Sequence, residues 1–398
     1  MNWEYTTLGD HCTVTSSKRF HLSDRSTTGV PFYCSKEIIK KVKGEEISDC
    51  DYIKEESYEN VKKQYGTPES GDLLITTRGT YGVPYIYRDT DRFYFSDGNL
   101  TWLKNFDNKL LVKYLYYWIL SYEGQRKIDA IAKGTAQKAV PIASIKLLQL
   151  PLPPIDSQER IADILSAYDD LIENNQKQIK LLEEAAQLLY KEWFVDLRFP
   201  GYEDTPITDG VPVRWKKCSM NDIAEYMNGY AFTPDDWGND GMPIIKIKEM
   251  NDGITNDTPR NKGEAIPTKY VVHPGDILFS WSATLTAKIW DSETGLLNQH
   301  LFKVTPIEGI AREFVFQSIL KTLDEFRNLT TGSTMKHIQR GKLKEVSVVV
   351  PFSDTMNRFA EITEPIRERI MRLSKQNEQL TEARDRLLPK LMSGEIEV

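Results

Sequence analysis

The feature that most limits how this chain can fold is that it contains itself twice. Trp3 precedes Leu8-Gly9-Asp10, and Trp215 precedes Met220-Asn221-Asp222, an offset of 212. Gly29-Val30-Pro31 and Gly241-Met242-Pro243 keep that offset. Gly71-Asp72-Leu73-Leu74 matches Gly275-Asp276-Ile277-Leu278 at 204, and Gly134-Thr135-Ala136-Gln137-Lys138 matches Gly332-Ser333-Thr334-Met335-Lys336 at 198. From there the offset is constant: Pro153, Asp156, Arg160, Ala162 and Ile164 face Pro351, Asp354, Arg358, Ala360 and Ile362. The offsets shrink only through loop deletions. A period near 200 is too long for a solenoid, whose repeats run roughly 20–50 residues. The 398 residues therefore read as a duplicated unit, a globular block of about 150 residues followed by a helix.

The helices are written in heptads. Ser157 to Trp193 holds no Gly or Pro. Its seam positions Tyr168, Ile172, Asn175, Ile179, Leu182, Ala186, Leu189 and Trp193 alternate by four and three. Asp156 is placed to cap the start, with Glu159 three residues on. The second copy repeats the seam as Ile366, Ile370, Leu373, Asn377, Leu380, Arg384, Leu387 and Leu391, and Pro365 is expected to kink or restart that helix. A seam this narrow needs a partner in water. The simplest partner is the other copy, giving an antiparallel coiled coil with Asn175, Asn377 and Arg384 fixing register; the alternative is packing on the helix's own block. A helix of about 36 residues would be about 54 Å long. Pro200, Gly201, Pro206, Gly210 and Pro212 mark a linker into the second block.

Each block mixes strands and helices. The runs after Gly71-Asp72 and Gly275-Asp276 read as strands, and Leu110–Leu120 and Phe314–Phe326 as buried helices, so the fold class is α+β. No run of 18 apolar residues occurs, and Lys113 breaks the best candidate, so no membrane span is expected. Met-Asn-Trp-Glu-Tyr lacks a basic run before an apolar core, so no signal peptide is expected. Cys12, Cys34, Cys50 and Cys218 are scattered, which suits reduced thiols and a cytoplasmic protein. Dinucleotide, Walker, zinc-protease and serine-elbow motifs are absent, as is the amino-methyltransferase motif, and the five histidines are too dispersed for a metal site. The chain is expected to bind rather than catalyse.

Charge then separates the parts. The net charge of −7 argues against a uniformly basic DNA binder. Yet Asp156–Glu192 alone carries −5, while Phe326–Lys344 carries +5 and its counterpart Gly124–Leu148 carries +4. Two basic runs at matching positions favour phosphate contact over a merely solvated face.

With these residues in view, the chain resembles the specificity subunit of a Type I restriction–modification system. The resemblance rests on Leu150-Pro-Leu-Pro-Pro-Ile-Asp-Ser-Gln-Glu-Arg-Ile, the helix after it, the two Gly-Asp strands and the tail Arg386-Leu-Leu-Pro-Lys-Leu-Met-Ser-Gly-Glu-Ile. It covers nearly the full length. The second copy departs at Pro351-Phe-Ser-Asp-Thr-Met-Asn-Arg358, which lacks the Gln-Glu pair. The resemblance implies two target-recognition domains, residues 1–153 and 215–351, each reading half of a bipartite double-stranded DNA target. It implies helical regions 154–196 and 352–398, with a linker over 197–214, that separate the readers as a coiled coil. Two modification (methyltransferase) subunits would dock there, carrying S-adenosylmethionine and the adenine N6 chemistry, with a restriction (motor-nuclease) subunit added for cleavage. This chain would itself bind no cofactor or metal.

Candidate DNA contacts are Arg78, Thr80 and Tyr81 after the first Gly-Asp strand and Trp281, Ser282 and Thr284 after the second. The basic loops add Lys133, Gln137 and Lys138, and Lys336, His337, Gln339 and Arg340. Tyr81 and Trp281 are equally read as core aromatics. The expected helical interface is Ile172, Ile179, Leu182, Leu189 and Trp193 against Ile370, Leu373, Leu380 and Leu387. Competing readings are a stand-alone methyltransferase or nuclease with an unrecognised site, and a coiled-coil adaptor that binds only proteins.

Overall fold

The computed structural model describes residues 3–134, 138–282, 284–328 and 340–398. The chain forms two compact units, neither of them contiguous. One is Met1–Glu173 with Gln379–Val398, the other Asn174–Glu378. Among the described residues, no helix is long and apolar enough to cross a membrane.

The duplication in sequence is a duplication of topology. In the first unit an antiparallel sheet runs Thr13–Thr15, Leu100–Lys104, Leu73–Thr76, Pro84–Ile86. In the second, the order is Ala224–Asn228, Leu301–Pro306, Ile277–Ser280, Thr286–Ile289. Each unit adds a second four-stranded sheet around one parallel pair, Val30–Tyr33 with Tyr94–Phe95, and Met242–Ile245 with Gly295–Leu297. A short ribbon closes each block: Glu4–Thr7 pairs with Gln149–Leu152, and Lys216–Ser219 with Ser347–Val350.

The repeated motifs are structural. Gly71 and Gly275 turn at φ +90° and +99°, a region that side chains disfavour. The next residue then turns its carboxylate inward. Asp72 Oδ2 accepts from the Glu69 amide at 2.9 Å and from Trp102 Nε1 at 2.7 Å. Asp276 Oδ2 accepts from the His273 amide at 2.8 Å and pairs with Lys303 Nζ at 2.6 Å. Trp102 and Lys303 face Leu74 and Leu278 on the adjoining strand. Each Gly-Asp thus anchors a buried strand at the end away from its exit loop.

The first long helix is Ile155–Tyr190, ending in a π-helical turn Lys191–Val195, and the second is Ser353–Ser393. Several expectations are corrected. Pro154, not Asp156, closes the first helix: its carbonyl accepts from the Ser157 and Gln158 amides at 3.0 Å, and Asp156 lies in the first turn. The second helix runs through Pro365 without a break. Pro365 and Glu361, whose carbonyl loses its helical partner, are on the exposed face, while Phe359, Thr363 and Arg367 on the opposite face are buried. The helix expected at Leu110–Leu120 is Val112–Leu120, and the Phe314–Phe326 run is two helices, Arg312–Lys321 and Leu323–Asn328. The linker holds a hairpin, Ile207–Thr208 with Val211–Pro212, turning at Asp209 and Gly210, both with positive φ.

Each unit takes part of each long helix. In the second, Asn175 Nδ2 donates to Asn377 Oδ1 at 2.9 Å and Arg369 Nη2 to Gln178 Oε1 at 3.3 Å, so the two segments run antiparallel. In the first, Ile161 and Leu165 share a core with Leu387, Leu388, Leu391 and Met392, and Arg384 Nη1 reaches Asp169 Oδ1 at 2.6 Å. The end of each long helix also packs on the block of the other copy. Tyr190, Trp193 and Phe194 join Phe314 and Phe359 in the second core, where Trp215 lies 4.6 Å from Phe199, ring centre to ring centre. In the first unit the C-terminal segment performs this closure: Trp3 packs against Gly394.

The polar anchors differ between copies although the apolar frame repeats. Asp169 and Arg367 are equivalent at the 198 offset. Asp169 accepts from Tyr117 at 2.6 Å, whereas Arg367 forms a bidentate pair with Glu313 at 2.9–3.1 Å, both partners at most 5% exposed. Gln158 is buried and makes three bonds to Leu111, Lys109 and Pro153; its counterpart Met356 fills the same place with a thioether. Glu313→Ala strands the buried Arg367 guanidinium and is expected to cost about 3–5 kcal/mol in denaturant unfolding of the full chain. A loss below about 1 kcal/mol, the range of an exposed pair, would contradict the burial.

Candidate nucleic-acid interface

The antiparallel order brings one end of each main sheet together. In the first unit these are the exits of Thr13–Thr15 and Leu73–Thr76 and the entries of Leu100–Lys104 and Pro84–Ile86. The parallel pair of the second sheet adds its own exit there: Ser35 Oγ donates to the carbonyls of Arg78 and Asn99, both at 3.1 Å. A distant hairpin joins as well. Ala139 bridges both Arg78 and Lys133, and the Val140 amide donates to the Thr77 carbonyl at 2.9 Å.

This assembly gathers cations. Arg78, Thr80, Lys133 and Lys138 are exposed, and Lys18, Arg19 and Lys36 stand on neighbouring turns. The Lys18 amide donates to the Tyr94 hydroxyl at 2.7 Å, holding its loop, and its ammonium lies 5.0 Å from the Tyr65 ring centre. Arg19 pairs with Asp97 at 2.8 Å, and Lys36 with the buried Glu37 at 3.2 Å. Cations in one concentrated face, on turns fixed by backbone bonds, suit a polyanion. Burial first and Glu37 second push the Cys34 thiol above its ordinary range, so it adds no negative charge there.

The corresponding end of the second unit is aromatic. The Tyr230 amide donates to the Leu297 carbonyl at 2.8 Å, and Asn298 to Ile245 at 3.1 Å. The Trp281 ring lies 6.0 Å from His300 and 5.8 Å from Phe302. Ser282 is buried and its hydroxyl faces His300 Nδ1 at 3.4 Å, so the exposed groups of this turn are Thr284 and His300.

The sequence-based candidates thus divide. Arg78, Thr80, Lys133 and Lys138 share one exposed face. Tyr81 is half-buried against the first core; burial first and the Asp129 carboxylate second raise its hydroxyl above the usual phenol range. Trp281 likewise packs against the second core. Gln137, Lys336, His337 and Gln339, and the side chain of Arg340, lie outside the described residues. Not every base in the two runs faces outward. Lys127 pairs with Glu123 at 3.0 Å and donates to the Gln149 carbonyl at 2.9 Å, and Lys342 pairs with Glu345 at 2.6 Å. Lys18, Arg19, Lys36, Tyr230 and His300 escaped the sequence reading. Lys36 arrives through the parallel pairing of segments some 60 residues apart, and Lys18, Arg19 and His300 through the ends of antiparallel main-sheet strands; local spacing carries no trace of these long-range pairings.

Comparison with known proteins agrees with this architecture. The family model described as "Type I restriction modification DNA specificity domain" matches residues 1–184 and 212–382. The chain is 24% identical to the Type I restriction enzyme MjaIX specificity subunit of Methanocaldococcus jannaschii, over 82% of this chain and 78% of that one. It is 22% identical to the HindI specificity subunit of Haemophilus influenzae, over 82% and 87%. The crystal structure of a Type I restriction–modification S subunit from M. genitalium has the same fold, with TM-score 0.57 at 15% identity, covering 98% of this chain and 96% of that one.

Arg78→Ala and Lys133→Ala are each expected to weaken binding of every duplex alike and to reduce the slope of log affinity against log salt by about 1. An unchanged slope for both would remove this face from the DNA contact.

Proposed function

Because the chain belongs to the family of Type I restriction–modification DNA specificity proteins, whose model matches it over both copies, we propose that it supplies the address in such a system and leaves the chemistry to its partners. It is the DNA-recognition subunit. Its two blocks read the two halves of a bipartite target, and the paired helices scaffold the complex. The observation that carries this reading is the repeated strand-end face: one topology, used twice, whose described residues are basic in the first copy and largely aromatic in the second.

Cations on the first face bind phosphate and position the block on the duplex, while polar and aromatic groups beside them read base edges. Two modification subunits dock on the helical region. They hold S-adenosylmethionine and transfer its methyl group to adenine N6. A restriction subunit joins the same assembly for cleavage. The chain itself is non-catalytic and binds no cofactor. A cytoplasmic setting fits its four free cysteines.

The long helices act as a ruler. The first helix, 36 residues long, corresponds to about 54 Å, or roughly 16 base pairs at 3.4 Å each. Half-sites about one helical turn apart, on one face of the duplex, fall within that length. Inserting whole heptads into both helices is expected to change the spacer and leave both half-sites intact, read by sequencing methylated sites in a host carrying the variant and its modification subunit. Altered half-sites with an unchanged spacer would refute the ruler.

A further inference from the structure

Of the eight tryptophans, Trp237 is the exposed one among the described residues, at 48%. The others are buried or half-buried. A lone exposed aromatic is ordinary on a protein surface. This one is braced on every side. Thr233 donates to Asp236 Oδ2 through its amide at 2.7 Å and its hydroxyl at 2.9 Å, and the Trp237 amide donates to the Pro234 carbonyl at 3.2 Å. Gly238 exchanges two backbone bonds with Arg260, both 2.8 Å, and Asn261 Nδ2 donates to the Asp236 carbonyl at 2.7 Å. These bonds hold the backbone of the turn, and the ring at its tip stays in solvent.

The ring also has a cation. Lys246 Nζ lies 4.1 Å from its centre. Lys246 directly follows the parallel strand Met242–Ile245, beside Asn298, and so stands at the same strand end as Tyr230, Trp281 and His300. Asp235 is the nearby exposed acid; the Asp236 carboxylate is committed to Thr233 and that of Asp240 to the Gly241 amide at 2.8 Å.

We propose that Trp237 and Lys246 form a DNA contact of the second block, the ring lying flat against the base and sugar surface of a groove and the ammonium on the adjoining phosphate. The proposal rests on the recognition reading above and names where the second block touches the duplex. A pre-fixed ring loses little freedom on binding, and its apolar face gains contacts that a cation alone does not supply. The contact is specific because it needs local groove shape, whereas the lysine serves any sequence.

The test uses the full chain assembled with the modification subunits of its system. Three duplexes are compared: the methylated motif of that system, and the same motif with either half-site scrambled. Trp237→Ala is expected to lower affinity for the intact motif about tenfold or more. It should have no further effect on the duplex whose second-block half-site is already scrambled, and Trp237→Phe should keep most of the affinity. Lys246→Ala should weaken all three duplexes and reduce the salt slope by about 1. Unchanged melting of the free Trp237→Ala chain is expected, because the ring buries little. Wild-type affinity of Trp237→Ala for the intact motif would overturn the proposal, as would an equal loss on all three duplexes or loss of assembly with the modification subunits. If the wild-type complex failed to distinguish intact from scrambled motifs, the recognition reading itself would fall, and this contact with it.

Discussion

The structure depends on a reciprocal loan of helices. Neither block finishes its own core. The first is completed by the end of the second long helix, through Leu387, Leu391 and Met392, and the second by the end of the first, through Tyr190, Trp193 and Phe194. An isolated heptad seam is marginal in water. Here each seam is covered twice, by the antiparallel segment beside it and by the sheet and helices of a block. The polar seam positions then select the register. Asn175 reaches Asn377 only when the helices are aligned as they are, and a slipped alignment leaves the buried Asn175 amide without that partner.

The two copies share their hydrophobic frame and diverge in their polar contacts. Position 169 is an aspartate that takes a tyrosine and an arginine; position 367 is an arginine that takes a glutamate. Each arrangement is satisfied, and neither partner set fits the other block. Among the described residues the same division holds at the strand ends, where one face gathers cations and the other carries aromatic rings with Lys246 beside them. A duplicated scaffold with differently dressed faces is what recognition of two unlike half-sites requires, since readout lies in side chains and placement in the backbone.

Much of the scaffold was legible in the sequence. The seams stood out because 3–4 spacing is local, and the duplication because Gly-Asp turns and the proline-flanked helix starts recur. The shift from Asp156 to Pro154 at the first helix start, and the unbroken passage through Pro365, were not legible, since tertiary packing decides both. Arg384 was visible as an interruption of its seam, but its partner Asp169 lies just off the seam of the other helix and is found only in space. The candidate site was half legible. Arg78 and Lys133 follow recognisable turns, whereas Ser35, Lys36 and Lys246 enter through parallel pairing, and Trp237 through an antiparallel bridge beside it, that no local pattern announces.

The proposed function gives one chain two readers, one in each block. Its most direct test is a map of methylated positions in a host expressing this chain with its modification subunit. The account predicts one bipartite motif, two short specified half-sites flanking a gap of constant length and unspecified sequence. A single contiguous motif, or methylation that persists unchanged when this chain is absent, would contradict it.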